Sequence, residues 1–300
     1  MQISSPAEQL IFATVRIETL MAGGGTGVGT GFLYAIEVDE KESALFLVTN
    51  KHVIDGARTG ILTFTLSDGA APLLGQHYSV RLENFANFFV HHELPDVDVA
   101  LMPFFPILTL LSQRGVRIFF RSVPDKLIPT VEDIDELDAI EDVIFVGYPN
   151  GIWDVENNLP VVRRGITATP IGVDFRRAPQ FLIDASVFPG SSGSPVFLFN
   201  NTGTFAKKGK GTVVGGRIMF LGLVASVFFR EDTGRIEMTD VPTAVEPIPV
   251  VRQMIDLGVV FKATTVREVA LRVIAHAKEA YAKGDRVPAA EDRTAVDEAT

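Results

Sequence analysis

Short apolar runs separated by turn residues dominate the chain up to about Phe229. From Leu10 onward these runs are rich in Val, Ile, Phe and Thr, and segments containing Gly, Pro, Asn and Asp divide them. Runs of this kind are typical of β-strands joined by turns. Few helical periods lie between them, so the pattern predicts a barrel or a sandwich rather than alternating strands and helices. The clearest predicted strands span residues 11–17, 31–36, 44–48, 61–66, 97–102, 143–146, 161–169, 181–184, 196–199 and 221–229.

Residues 103–142 are less regular, and we expect them to cross between two β halves. They include the segment 131–142, in which seven residues are acidic and none is basic. A solvated turn or a short helix is the simplest interpretation of this segment, and a docking site for a basic partner is the alternative.

The pattern becomes helical towards the C-terminus. After Pro249, apolar residues recur at helical spacings through residues 250–257 and again through residues 266–283. We therefore predict C-terminal α-helices over residues 248–283. Residues 284–300 lack a periodic apolar face and are predicted to be a disordered tail.

Composition and charge exclude several classes of protein. The 300 residues are 47% hydrophobic, which is enough apolar material for a large core. No apolar run reaches the ~20 residues that span a bilayer, and the first residues lack the pattern of a secretory signal. The absence of cysteine excludes disulfides and thiolate metal sites and favours a cytoplasmic location. The net charge of −10 argues against nucleic acid as a partner.

A turn of small residues contains the most informative motif. Residues 190–195 read Gly-Ser-Ser-Gly-Ser-Pro and lie between two apolar runs. Such a turn presents a hydroxyl together with backbone N–H groups. Upstream, His52 lies in a β-rich run and Asp98 stands just before another. The chain therefore holds a base, an orienting carboxylate and a nucleophile in the order His, Asp, Ser.

These side chains have the chemistry needed for acyl transfer. His52 can accept the proton of Ser192, and Asp98 can fix the tautomer of the imidazole, with Asp96 as the alternative acid. The backbone N–H groups of Gly190 and Ser192 would face the negative charge that develops on the attacked carbonyl oxygen. Each motif alone is weak, because a serine between glycines is most often only a turn and an aspartate before a strand most often a cap.

Taken together, the motifs resemble those of the trypsin-like (chymotrypsin-fold) serine peptidases, especially the cysteine-free bacterial branch that includes the HtrA-type proteases. Residues 190–195 resemble the Gly-x-Ser-Gly-Gly-Pro motif of the nucleophile. The runs at His52 and Asp98 resemble the Thr-Ala-x-His and Asp-x-Ala-Leu motifs. Residues 29–32 resemble the family's strand before the histidine, and residues 147–149 resemble the turn that opens its second barrel. Residues 221–226 resemble the strand beside its specificity pocket.

The resemblance covers about residues 9–260 and implies an all-β fold. In this fold, two six-stranded antiparallel β-barrels hold the active site in the cleft between them. The resemblance places the N-terminal barrel at about residues 9–105, a linker at 106–142 and the C-terminal barrel at about 143–247, before the C-terminal α-helices. No PDZ-like segment follows the peptidase body.

The resemblance also implies a specificity pocket. Its floor corresponds to Ser186, followed by Val187, and its wall to Ala225, Ser226 and Val227. No acidic residue lies at the floor, and a valine at the wall, where the family commonly has glycine, would narrow the entrance. We therefore expect a small or medium uncharged side chain on the acyl side of the scissile bond.

The expected function is that of a bacterial, cytoplasmic serine endopeptidase that processes a specific intracellular protein. Its substrate would be a protein or peptide, and a regulatory protein partner would order residues 190–192. We expect no cofactor, no metal, no nucleic acid and no membrane among its ligands.

Parts of the sequence are compatible with two other functions and two other kinds of site. The main alternative is a catalytically silent module of the same fold that binds peptides or proteins. An α/β-hydrolase needs the order Ser, acid, His, and only His276 lies downstream of Ser192. The glycine-rich run 23–31 lacks a phosphate-binding spacing, so we interpret it as a hairpin. Residues 91–93, His-His-Glu, lack a zinc-binding spacing, so we interpret them as a solvated loop.

Overall fold

The computed structural model of the protein describes residues 3–40, 42–201, 203–232 and 251–283. The predicted tail at 284–300 and the last part of the predicted C-terminal barrel, residues 233–247, lie outside the described residues. Across the described ranges, no helix is long and apolar enough to cross a membrane.

The N-terminal half is mainly strand. Its elements, in chain order, are α1 (Pro6–Ile11), β1 (Thr14–Met21), β2 (Thr26–Glu37), β3 (Ser43–Thr49), α2 (Lys51–Ile54), β4 (Ala57–Ser67), β5 (Pro72–Glu83), β6 (Val90–His91) and β7 (Ala100–Pro103). The predicted first strand begins too early, because a capping box between Ser5 and Glu8 starts helix α1 and β1 follows only at Thr14.

The crossing and the C-terminal half complete the chain. The crossing contains α3 (Phe105–Gln113), β8 (Val123–Pro124) and α4 (Val131–Asp135). The C-terminal half contains β9 (Asp142–Gly147), β10 (Val161–Thr167), β11 (Gln180–Asp184), β12 (Pro195–Asn200), β13 (Thr204–Lys207), β14 (Gly211–Val214), β15 (Arg217–Asp232), β16 (Val251–Lys262) and α5 (Ala263–Ala282).

The strands form a closed barrel and a second large sheet, so the predicted all-β, trypsin-like fold is confirmed. The barrel has six antiparallel strands in the order β10-β11-β16-β15-β12-β9. The sheet of the N-terminal half has six antiparallel strands in the order β5-β4-β1-β2-β3-β7. It becomes eight-stranded because two short strands are added, β6 beside β7 and β8 parallel to β2.

The two halves share one hydrophobic core. Strand β2 is apolar on both faces, since alternate residues of a strand point to opposite sides of the sheet. Leu33 packs into the core of the N-terminal half, whereas Phe32 and Tyr34 enter the shared core. There they meet Phe220 of β15, at ring-centroid distances of 5.3 Å and 6.5 Å, and Phe197 of β12 packs on the other side of the same cluster at 5.7 Å from Phe220.

The predicted helix over residues 248–262 is wrong where the structure describes it. Residues 251–262 form strand β16, so the C-terminal barrel extends to Lys262 and helix begins only at Ala263. The apolar spacing of residues 250–257 fits the repeat of a helix and also that of a strand, but closure of the barrel requires a strand that pairs with β11 and β15. Asp256 also has φ of +56°, which no right-handed helix contains.

The acidic segment of the crossing forms a short helix, as predicted. This helix is α4, and the Thr130 side chain caps its first turn by accepting from Asp133 N–H. The adjacent Glu136 pairs with Lys207 and Lys210 of the β13–β14 hairpin. These two ammonium groups lower the pKa of Glu136 to about 2.

We predict that the shared aromatic core dominates stability. Phe220→Ala removes a fully buried ring between the two halves, so the free energy of unfolding should fall by about 3–5 kcal/mol. Phe105→Ala is the control, because its ring is 72% exposed and the change should stay within about 0.5 kcal/mol. Urea unfolding measures both, and equal effects of the two substitutions would contradict the prediction.

Candidate active site

His52 lies in a single helical turn that follows strand β3 almost directly. Helix α2 is held by Val53 and Ile54, which are buried. These anchors direct the other face of the turn outwards, and the His52 side chain is 50% exposed. Gly29 of β2 permits this packing, because a Cβ there would lie 2.5 Å from Val53 Cγ1.

A carboxylate from the loop before β7 orients the histidine. Asp98 Oδ2 lies 2.5 Å from His52 Nδ1, and Asp98 Oδ1 accepts a 3.1 Å hydrogen bond from the His52 backbone N–H. Asn50 holds the same loop by donating to Asp98 O at 2.6 Å. With Nδ1 donating, Nε2 keeps its lone pair for a proton. The structure thus pairs His52 with Asp98, while Asp96 is exposed and makes no hydrogen bond to it within the described residues.

Ser192 lies in a tight turn just before β12. The turn closes through a 2.9 Å hydrogen bond from Ser191 N–H to Phe188 O. Gly190 and Gly193 flank it with φ of +90° and +86°, in the region that favours glycine. The alternation of small residues seen in the sequence is therefore required by the backbone conformation.

The Ser192 hydroxyl faces strand β15 in this structure. Its Oγ donates to Ala225 O at 3.4 Å, which is long for a hydroxyl hydrogen bond. Among the described residues, no hydrogen bond joins Ser192 to His52. The structure therefore joins two of the three predicted catalytic side chains directly, while the hydroxyl of the third bonds to the backbone of strand β15.

Two backbone N–H groups of the turn have no protein acceptor. The N–H groups of Ser191 and Gly193 donate to other residues, whereas within the described chain those of Gly190 and Ser192 do not. Unused donors at a partly buried turn are available to an oxygen atom of a ligand. They are the two groups that the sequence motif predicts for the oxyanion hole.

Thr30 of β2 connects the two halves at the site, and sequence reasoning missed this role. Its backbone N–H donates to Ser192 O at 2.9 Å, and its Oγ1 donates to Gly190 O at 2.9 Å. Its carbonyl accepts from Thr49 Oγ1 at 2.8 Å, and its Oγ1 accepts from Tyr148 N–H at 3.1 Å. The signal was present, because Thr30 is the variable position of the Gly-x-Gly-Phe motif, but a motif does not reveal contacts.

The turn at residues 190–193 approaches β2 more closely than a side chain would allow. A Cβ at Gly193 would lie 1.9 Å from Thr30 O and 2.7 Å from Thr49 Oγ1. On the other side, a Cβ at Gly147 would lie 2.0 Å from Ser194 Oγ, a buried hydroxyl that has no hydrogen-bond partner in the described structure. These contacts leave room only for glycine at both positions.

A cavity of about 340 Å³ adjoins Asp98 and strand β15. Of the predicted pocket residues, Ala225, Ser226 and Val227 line it. The remaining lining residues come from the acid-bearing loop, the loop before β11 and strands β11, β15 and β16: Asp96, Asp98, Phe175, Arg176, Gln180, Phe228, Val259 and Phe261.

The predicted floor of the pocket does not belong to this cavity. Val187 is buried in the core of the C-terminal barrel, where a Cβ at Gly258 would lie 2.9 Å from its Cγ2. Ser186 is partly buried and does not line the cavity. A count of residues back from the nucleophile gives position along the chain, but it does not give the direction of a side chain.

Arg176 lines the cavity, and no sequence pattern predicted it. Its guanidinium lies 5.2 Å from the Phe175 ring centroid and 5.4 Å from that of Phe228, so it can make cation–π contacts with both. Arg176 and Arg177 have φ of +56° and +63°, an uncommon conformation for residues with a side chain.

The expected solvated loop at residues 91–93 is wrong for one residue. His92 is buried, and its Nε2 lies 3.0 Å from Glu268 Oε2 of helix α5. In the part of the chain that the structure describes, no group of three or more His, Asp or Glu side chains is arranged to hold a metal ion.

The family model of the trypsin-like peptidase domain matches residues 29–205 of this chain. No curated protein matches the sequence. Among solved structures, the chain is similar to the inactive form of a mutant Rv3671c from M. tuberculosis H37Rv, with 17% identity, a TM-score of 0.43 and coverage of 91% of this chain and 92% of that one.

Two further solved structures resemble the chain at comparable sequence identity and TM-score. The HtrA-type protease AlgW with a tripeptide has 16% identity and a TM-score of 0.45, and the alignment covers 90% of this chain. The chain spans 63% of the length of AlgW. Deg5 has 17% identity and a TM-score of 0.40, with 73% of this chain and 81% of that chain covered.

We predict that Thr30→Val weakens both the fold and the site. The substitution removes the hydroxyl that serves Tyr148 N–H and Gly190 O, so the free energy of unfolding should fall by about 1–3 kcal/mol. Thr63→Val is the matched control on strand β4, because within the described residues its hydroxyl bonds only to the Ser79 hydroxyl of strand β5. Urea unfolding compares them, and an equal or smaller loss for Thr30→Val would contradict this role.

Proposed function

Because the chain belongs to the trypsin-like peptidase family, we propose that it is a serine endopeptidase in which Ser192, His52 and Asp98 form the catalytic triad. The observation that carries the proposal is the 2.5 Å contact between His52 Nδ1 and Asp98 Oδ2. It leaves His52 Nε2 as the free base of the site.

The reaction follows from the chemistry of these groups. Ser192 Oγ attacks the carbonyl carbon of the peptide bond while His52 Nε2 accepts its proton, and Asp98 stabilises the imidazolium that forms. The imidazolium then gives the proton to the leaving amine, and the C–N bond breaks to leave an acyl group on Ser192. Water, activated by the same histidine, releases the acyl group and regenerates the hydroxyl.

The oxyanion is stabilised by backbone donors. The free N–H groups of Gly190 and Ser192 would bind the oxygen of the tetrahedral intermediate. A donor of this kind typically contributes ~2.7–4 kcal/mol in the transition state. The two turn glycines support this role, because the turn conformation that exposes the N–H groups requires them.

A silent binding module of the same fold is the second candidate function. One observation favours it, since the Ser192 hydroxyl donates to Ala225 O rather than to the histidine. The bond is long, and rotation about one side-chain torsion changes its direction. Retention of all three triad side chains favours the enzyme, because binding alone does not need them.

The substrate would be a protein or peptide with a small or medium uncharged side chain on the acyl side of the cleaved bond. The support is the cavity wall at Val227, which has a branched side chain beside the site. We further propose that the enzyme processes a specific protein in the bacterial cytoplasm and that a regulatory protein orders residues 190–192.

We predict that an active-site-directed fluorophosphonate labels the native chain and not Ser192→Ala. His52→Ala should abolish labelling, because the hydroxyl then has no base. Asp98→Asn should slow labelling by up to about 10⁴-fold by favouring the wrong histidine tautomer. Asp96→Asn removes the alternative acid and should slow labelling far less than Asp98→Asn, because Asp96 makes no hydrogen bond to His52 within the described residues. Native-rate labelling of Asp98→Asn, or no labelling of the native chain, would contradict the proposal.

We predict that Val227→Gly relaxes the preference for the acyl-side residue. Profiling with a peptide library should show that the native chain cleaves after small and medium uncharged residues and poorly after Arg or Lys. Removing the valine side chain should raise kcat/KM for large aromatic residues by roughly tenfold. Val162→Gly, on β10 and away from the cavity, is the control. An unchanged profile for Val227→Gly would exclude this residue from the pocket.

A further inference from the structure

Helix α5 lies against the segment that leads to Asp98, residues 91–98, which we call the acid loop. Glu268 of the helix has its Oε2 3.0 Å from His92 Nε2. His92 is buried, and its Nδ1 accepts a 3.2 Å hydrogen bond from Leu94 N–H. Nε2 therefore carries the ring proton and donates a hydrogen bond to Glu268 Oε2. The helix and the acid loop are joined by a buried imidazole whose two nitrogens are both used.

Arg272 lies one helical turn further on and holds the same loop. Its Nη1 is 2.8 Å from Glu93 Oε1, and its Nη2 donates to His91 O. Residues four apart lie on the same face of a helix, so Glu268 and Arg272 act together on adjacent residues of the loop. The His91 carbonyl and the side chains of His92 and Glu93 are therefore all held by helix α5.

Helix α5 is itself fixed to the crossing and, through it, to strand β2 of the N-terminal half. Arg267 donates to Asp125 Oδ1 at 2.7 Å and to Oδ2 at 3.1 Å, and the Tyr34 hydroxyl donates to the same carboxylate. Burial raises the pKa of Tyr34, and its hydrogen bond to Asp125 raises it further. Val266 and Val269 are buried in the core that the two halves share. The helix therefore has a defined position from which it holds the acid loop.

Lys51 holds the acid loop from the side of the histidine. Its Nζ donates to Leu94 O at 2.9 Å and to Pro95 O at 3.3 Å. Partial burial lowers the pKa of Lys51, and the nearby Asp98 charge opposes that shift. The loop is thus held by the residue next to His52 and by helix α5.

We propose that Glu268 and Arg272 are positioning residues for the triad, which hold the acid loop so that both carboxylate oxygens of Asp98 reach His52. This inference rests on the proposed function. Neither side chain contacts the reacting atoms, and their effect passes through the loop. Because Asp98 makes two separate bonds to His52, at 2.5 Å and 3.1 Å, a small shift of the loop breaks at least one of them. A misplacement of about 1 Å can lower an enzymatic rate 10²-fold.

The test compares variants of the full chain with a control on the same helix. Glu268→Ala and Arg272→Ala should lower kcat for a cleaved peptide by roughly tenfold, because Asp98 loses its alignment, with little change in KM, because neither residue contacts the substrate cavity. Glu268→Gln should recover most of kcat, because its amide oxygen still accepts from His92 Nε2–H. Glu279→Ala, exposed on α5, should match the native chain.

A spectroscopic measurement follows Asp98 without catalysis. The proton between His52 Nδ1 and Asp98 Oδ2 lies in a short hydrogen bond and should give a strongly downfield ¹H resonance in the native chain. The resonance should move upfield or broaden beyond detection in Glu268→Ala and Arg272→Ala, and it should persist in Glu268→Gln and Glu279→Ala.

The outcomes separate this inference from the proposed function. Native kcat and an unchanged resonance in folded Glu268→Ala and Arg272→Ala would overturn the positioning role even if the native chain cleaves peptides. A native chain that neither labels nor cleaves would overturn the proposed function, while the resonance would still decide whether α5 aligns Asp98. If an alanine variant fails to fold, Arg272→Lys decides the matter, because lysine can replace only one of the two arginine contacts and should lower kcat partly. Native kcat in folded Arg272→Lys would then overturn the positioning role.

Discussion

A short stretch of strand β2 holds the two halves of this protein at a fixed separation. Thr30 donates to the backbone carbonyls of Gly190 and Ser192, and its own carbonyl accepts from Thr49 at the end of β3. Its bonds form because Gly193 comes closer than any side chain would permit. His52 and Asp98 belong to the N-terminal half and Ser192 to the C-terminal half, so the distance between them depends on this junction.

The surroundings of the junction make its hydrogen bonds effective. Thr30 and Thr49 are fully buried, and hydrogen bonds are electrostatically stronger where water is excluded. The aromatic cluster around Phe220 supplies that environment and resists relative movement of the halves. His52 and Ser192 lie at the solvent-accessible margin of this packed region. The same packing thus buries the backbone junction at Thr30 and leaves His52 and Ser192 accessible to solvent.

Sequence reasoning was reliable where a short pattern determines local geometry. The turn around Ser192, its two free N–H groups and the pairing of His52 with Asp98 all follow from such patterns. It failed over residues 251–262, where the apolar spacing suits two periods and only barrel closure selects the strand. It also could not find partners far apart in the chain. The hydroxyl of Thr30 meets a residue 160 positions away and the guanidinium of Arg272 one 181 positions away, and no local pattern encodes such pairs.

Strand β16 runs into helix α5 without an intervening loop, and this order has a consequence for biosynthesis. The barrel cannot close until Lys262 has left the ribosome, and the histidine at position 92 must wait for a glutamate 176 residues later. Domains generally fold as units during translation, N-terminal parts first. His52, Asp98 and Ser192 are therefore all synthesised before the strand that closes the barrel and before the helix that holds residues 91–93, and their final arrangement has to wait for both elements.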